Sequence, residues 1–213
     1  MSLRARQREH TIAVILEAAA EVFGRQGYHA TSMEEVAKAT GCATATLYGY
    51  FVSKEELFSR VLEDHVARYL QGVEDAVGST QGFVQGIDAY VEHFLAFARR
   101  HQEFLRVLLG LMRSAHSGTH PDPAAADTLR AAYFGMLTPL FERAIAEGRL
   151  PPTANVTPLA VCLIGMVHSA SFSWLTDLSG FDLDLGVRTA HTLFLAGFPA
   201  AAALQRVSSG DKS

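Results

Sequence analysis

Only two cysteines occur in the chain, Cys42 and Cys162, and they stand far apart. No disulfide framework can organise such a fold, and two unpaired thiols suit a reducing compartment. No stretch alternates apolar and polar residues in the manner of a half-buried strand, so an all-α fold is expected. Long hydrophobic runs are missing as well. The longest, Leu159 to Val167, is too short to span a bilayer. The N-terminus is charged where a secretory signal carries its apolar stretch. The expectation is a cytoplasmic protein with no membrane partner.

A marked excess of charge is also absent. The chain has 18 Lys and Arg against 22 Asp and Glu, a formal net charge of −4. In residues 1–60, Arg4, Arg6, Arg8, Arg25, Lys38, Lys54 and Arg60 balance Glu9, Glu17, Glu21, Glu34, Glu35, Glu55 and Glu56, so the whole −4 falls in residues 61–213. This is not the broad basic footprint of a non-specific nucleic-acid binder. Any attraction for phosphate must be local, from Arg4, Arg6, Arg8 and Lys54. The arginine run reads equally as a solvated, disordered tail. No nucleophile elbow, phosphate-cradling glycine loop or pair of spaced catalytic carboxylates is present. His116 and His120 are four apart, but Gly118 and Pro121 place them in a loop, and no carboxylate or cysteine completes a ligand set. No catalytic residue, metal or cofactor is therefore expected.

What is present is concentrated between Ser32 and Lys54. Ser32 with Glu35 makes a capping box that starts a helix at Met33. Met33, Val36, Ala37 and Thr40 share one face of it. Gly41 can turn the chain with positive φ. A short second helix runs from Ala43 or Thr44 to Tyr50, with Leu47 and Phe51 as its buried anchors and Thr44, Ala45, Tyr48 and Gly49 pointing outward. Ser53 with Glu56 caps a third helix, and Lys54 sits in its first turn, where a cation opposes the helix dipole unless an anion is bound there. Upstream, Ile12, Ile15, Leu16, Ala19 and Phe23 form an apolar helical stripe that Gly27 ends. This pattern suits a helix-turn-helix entering a DNA groove. It also suits an ordinary three-helix bundle with tyrosines as core fillers. Cys42, in the turn, reads as a small buried hydrophobe or a redox switch.

From about Thr11 to Leu62 the chain resembles the DNA-binding domain of the TetR family of transcriptional repressors. The matching residues are Ile15-Leu16-Glu17-Ala18-Ala19, Phe23, Gly27-Tyr28, Ala30-Thr31-Ser32, Glu35-Val36-Ala37, Gly41, Thr46-Leu47-Tyr48, Tyr50-Phe51 and Ser53-Lys54-Glu55-Glu56-Leu57. The resemblance implies that Ser32, Thr44, Ala45, Thr46, Tyr48, Gly49, Tyr50 and Lys54 face double-stranded DNA at a palindromic operator. Two departures stand out. Members often have serine where Ala43 stands and a basic residue where Thr44 stands, which leaves Thr44 to take over the cap. Members often have histidine where Gly49 stands.

After residue 60 the pattern stays helical. A helix from Lys54 ends at Gly78, and Ser79 and Thr80 are placed to cap the next, which carries Phe83, Ile87, Tyr90, Val91, Phe94 and Phe97. Another runs from about 102 to 114. Asp122-Pro123 opens a helix reaching Glu147, kinked at Pro139. Thr157-Pro158 opens an apolar helix that Gly180 breaks, and the last spans about 183–198. Aromatic, methionine and polar side chains of the middle helices make a candidate apolar pocket: Tyr90, Phe94, Phe97, His101, Phe104, Leu108, Met112, Tyr133, Phe134, Met166, His168 and Phe172. Any one of them also fits plain core packing. The family resemblance implies that such a pocket binds a small-molecule inducer. Gly165, Ser169 and Ser173 are spaced by four, a small-residue stripe beside Val161. Val187, Ala190, His191, Phe194 and Phe198 share a face of the last helix. The resemblance implies that these two helices pair across a homodimer seam; otherwise both are core. The domains expected are a DNA-binding head at 1–53, a ligand-binding and dimerisation domain at 54–200, and a disordered tail at 201–213. An all-α carrier or enzyme with purely structural N-terminal helices is the alternative.

Overall fold

The computed structural model describes residues 2–108, 131–132, 135–176 and 180–210. Among the described residues all regular structure is helical. Five helices lead the chain: α1 Leu3–Ala30, α2 Met33–Thr40, α3 Thr44–Tyr48, α4 Lys54–Gly78 and α5 Phe83–Arg100. The sixth, α6, spans 102–108. Then come α7 Thr138–Ala146, α8 Thr157–Leu175 and α9 Leu183–Gly210. They form two compact units: Met1–Arg68 with His101–Ala126, and Tyr69–Arg100 with Asp127–Ser213. The boundary expected at 53/54 is thus displaced. α4 is one helix, and its first part is built into the head.

The head is packed by Ile15, Leu16, Ala19, Val22 and Phe23 of α1, Met33, Val36 and Ala37 of α2, Leu47, Phe51, and Leu57, Phe58 and Val61 of α4, all buried. Phe23 meets Phe58 edge to face at 4.9 Å, a preferred aromatic geometry. α1 begins at Leu3 with Ser2 as its N-cap. Arg4, Arg6 and Arg8 therefore belong to a helix, which corrects the disordered-tail reading. Regular helical geometry breaks at Gly27, with φ of 81°.

In the second unit α9 packs on α8 and α5, and α5 on α7. Phe83 packs on Phe198 with ring centres 4.5 Å apart and planes tilted by 36°. Three local expectations are corrected. Thr80 does not cap α5; its hydroxyl donates to the Val77 carbonyl and receives a hydrogen bond from Arg143. The α5 amide of Phe83 instead donates to the Glu147 carboxylate at 2.6 Å, and the anion there complements the helix dipole. Pro139 opens α7 in its first turn and does not kink it, because a missing N–H costs nothing at that position. The last helix runs to Gly210, through Pro199, where a tail was expected from 201. The helix carrying the Leu159–Val167 run, α8, is by length and composition apolar enough to cross a membrane. Much of it is instead buried in the fold: Leu159, Leu163, Ile164, Val167 and Leu175.

Within the head, α1 and α6 touch backbone to backbone at Gly24. A Cβ placed there would lie 2.7 Å from the Glu103 Cα. Neither backbone can rotate away, so Gly24→Ala is expected to destabilise the protein by about 1–3 kcal/mol, read as a lower urea midpoint at unchanged slope.

Candidate nucleic-acid interface

The capping box at α2 is complete. Glu35 N–H donates to the Ser32 hydroxyl, and the Glu35 carboxylate accepts from the Ser32 amide at 2.8 Å. That amide, helped by the Ser32 hydroxyl and Gln26, holds the Glu35 carboxyl below its ordinary range. Gly41 adopts φ of 71°, as a tight helix-ending turn requires. α3 follows at once. Its N-cap is Ala43, with no side-chain cap hydrogen bond, and Thr44 is already helical. The expected transfer of the cap to Thr44 does not occur, so only tertiary packing holds this end. Leu47 supplies it, fully buried. Around it Ala45, Thr46, Tyr48 and Gly49 are exposed, while Ser32, Thr44, Tyr50 and Lys54 are half-buried.

α4 opens with a variant capping box: Glu56 N–H donates to Ser53, but the Glu56 carboxylate accepts from the Val52 amide. Lys54 is placed differently from the expectation of a phosphate ligand. Its Nζ donates to the Tyr28 carbonyl at 3.0 Å and the Thr31 carbonyl at 2.8 Å, and sits 4.5 Å from the Tyr28 ring centre. It clamps the end of α1, which leaves one of three N–H groups uncommitted. The Tyr28 hydroxyl donates to Glu55 at 2.7 Å. Burial and that carboxylate push the Tyr28 phenol up to about 12. At the other end of α1, no acidic residue stands in the first turn to offset Arg4 and Arg6, so these cations oppose the helix dipole. Arg8 lies over the Tyr50 ring, 5.2 Å from its centre. The front of α1 therefore runs beside the end of α3.

Residues 15–61 match the family model for bacterial regulatory proteins, tetR family. The chain is 30% identical over 196 residues to the HTH-type transcriptional repressor NicS of Pseudomonas putida, covering 91% of each protein. The chain belongs to the TetR family of transcriptional regulators. It is a DNA-binding regulator, and not an enzyme. The HTH-type transcriptional activator FasR of Mycolicibacterium smegmatis is 28% identical over 84% of this chain and 79% of its own. The fold matches FadR of Bacillus subtilis, solved in complex with stearoyl-CoA, with a TM-score of 0.72 at 16% identity, over 87% of this chain and 98% of that one.

For this TetR-family chain the expected pocket residues separate. His101, Phe104 and Leu108 belong to the head; Tyr90, Phe94, Phe97, Met166 and His168 belong to the second unit. Tyr90, Phe94 and Phe97 are buried there, and burial raises the Tyr90 phenol. Phe172 is 37% exposed and so leaves the pocket list, because its side of α8 is the uncovered one. Met112, Tyr133 and Phe134 lie outside the described residues, as do His116 and His120.

The seam residues also divide. Val161, Gly165 and Ser169 are exposed and Ser173 half-buried, and among the described residues nothing lies within 4 Å of a Cβ added at Gly165. On α9 the expected face is the inward one: Val187, Ala190, Phe194 and Phe198 are buried, and His191 pairs with Asp88 at 2.8 Å. The outward apolar positions are Leu185, Leu193 and Leu204. One cluster went unnoticed in the sequence: Glu17, His65 and His101 converge in the head. Their separation along the chain gave no spacing signal.

Three outcomes follow. Leu47→Ala should lower stability by about 2–5 kcal/mol, whereas Lys54→Met should cost about 1–3 kcal/mol through two orphaned carbonyls, both read by urea denaturation. Burial pushes the His168 imidazole down to about 4. A histidine held neutral when folded stabilises fully above its unfolded pKa of about 6.5 and loses that contribution as pH falls toward 4. The expected loss is at most about 3 kcal/mol, trimmed by the part of the residue still exposed, and His168→Gln should flatten this limb of the pH–stability curve.

Proposed function

We propose that this protein is a cytoplasmic, homodimeric repressor that grips a palindromic operator with α3 of each copy and releases it when a small, largely apolar ligand is bound. The observation that carries the reading is the division of α3, with Leu47 fully buried and Thr46 and Tyr48 exposed on the far side. α3 holds no charged side chain, so base reading falls to hydroxyls and methyls, with threonine and alanine methyls suited to thymine. Phosphate contacts come from Arg4, Arg6, the hydroxyls of Thr44, Thr46 and Tyr50, and the remaining N–H of Lys54.

Two copies pair through the uncovered stripe of Val161, Gly165, Ser169 and Phe172 on α8, joined by Leu185 and Leu193 on α9. An isologous seam of this kind sets the spacing of two heads, about 34 Å for successive major grooves. The ligand is an acyl group, an assignment supported by the aromatic interior of the second unit and by the stearoyl-CoA bound to the B. subtilis relative. It acts by preferring the conformation with the wrong head spacing, and can shift DNA affinity only by its differential affinity for the two states.

A gel shift on the promoter beside the protein's own gene tests the reading. Tyr48→Ala should weaken operator binding by about tenfold or more while leaving the thermal midpoint and the dimer intact; undiminished binding would remove α3 from the groove. Ser169→Arg should yield monomers in sedimentation equilibrium and lose operator binding together with the dimer. A dimer of wild-type affinity would move the seam elsewhere.

A further inference from the structure

We propose that Glu17, His65 and His101 form a binding site for a divalent transition-metal ion, zinc above all, that staples α1 and α4 to the start of α6. The three ligand atoms all lie within 4.8 Å of one another. His65 Nε2 is 3.6 Å from one Glu17 oxygen, and His101 Nδ1 is 3.7 Å from the other. Two ligands on a tetrahedral zinc are about 3.4 Å apart at ordinary bond lengths, so small side-chain adjustments complete the set. Two imidazoles and a carboxylate are the donors that zinc, cobalt and copper prefer, and that calcium and magnesium do not.

The surroundings are those of a supported ligand. His65 is 1% exposed in its side chain. Its Nδ1 lies 3.1 Å from the Val61 carbonyl; with the proton on that nitrogen, Nε2 is left as the ligand atom beside Glu17, the outer-sphere arrangement typical of metal-bound histidine. Phe104 stacks on the ring at 4.6 Å and holds its plane. Glu17, at 48% exposure, leaves the ion a route in from solvent.

Arg68 is the competitor. One guanidinium nitrogen sits 3.3 Å from His65 Nε2 and 3.4 Å from Glu17. The same nitrogen is 2.6 Å from Asp64, and the side chain is 47% exposed, so it can withdraw on its Asp64 partner when an ion enters. Arg68 and the metal thus exclude one another, a relation that a merely structural ion pair does not predict.

The test is calorimetric titration of the full-length, chelator-treated protein with Zn²⁺, and of a parallel sample with Co²⁺ followed by its visible spectrum. One ion per chain is expected, with the absorption of tetrahedral cobalt and a rise in thermal midpoint. E17Q and H101Q should each weaken binding at least about tenfold, since outer-sphere changes alone reach that size. R68Q should tighten it. The double variant H116Q/H120Q should bind as the wild type does. E17Q alters only an exposed carboxylate, so it keeps the test decisive if H101Q fails to fold. Absence of binding, binding indifferent to E17Q, or binding lost in H116Q/H120Q would overturn the proposal.

Discussion

A helix of five residues has no stability of its own. Fixing the first turn of a helix costs more than its hydrogen bonds return, and isolated helices become worthwhile only beyond about 12–15 residues. α3 is that short, and its N-cap is an alanine that bonds nothing. Its existence therefore rests on the burial of Leu47 and on the turn before it. Gly41 in the left-handed region lets its own amide reach the Lys38 carbonyl and the Cys42 amide reach the Ala37 carbonyl. The following segment then closes with Tyr50 and Phe51 both donating to the Leu47 carbonyl. One residue thus supplies the side chain that holds α3 and the carbonyl that ends it. The outward residues are free of structural duty, as the proposed reading of DNA requires.

The head was largely legible in the sequence because its signals are local. Ser32 with Glu35, the glycine at 41, and the pair Leu47 and Phe51 each act within five residues, and the structure bears each out. What was misread depends on partners remote in the chain. Thr80 looks like a cap, but Arg143 claims its hydroxyl and Glu147 takes the α5 amide from 64 residues away. Lys54 reads as a phosphate ligand from its place in the first turn, but its second duty, holding the carbonyls of Tyr28 and Thr31 more than twenty residues earlier, leaves no local signal.

The last two helices were legible only in part, for a different reason. α9 is apolar on more than one side, so periodicity alone cannot say which side faces in. Phe194 and Phe198 go to the rings of Phe83 and Phe141, and Leu193 is left outside. The stripe on α8 was legible as a set of small residues, yet only the structure shows that no described residue of its own chain comes within 4 Å of a Cβ added at Gly165. The expected pocket was chosen for chemistry alone, and its described residues fall in two units: His101, Phe104 and Leu108 in the head, Tyr90, Phe94, Phe97, Met166, His168 and Phe172 in the other.

The contact at Gly24 has a mechanical meaning. Most helix pairs meet through side chains, which can hop rotamers and absorb small shifts. Where α1 meets α6 there is no side chain on Gly24 to do so, only the Glu103 backbone against it. Ala20, four residues earlier, and Phe23, the residue before it, lock the same helix into the head. A push from α6 along this contact therefore reaches α1 without slack, as through a hard bearing with no cushion, and α1 must move as a rigid rod.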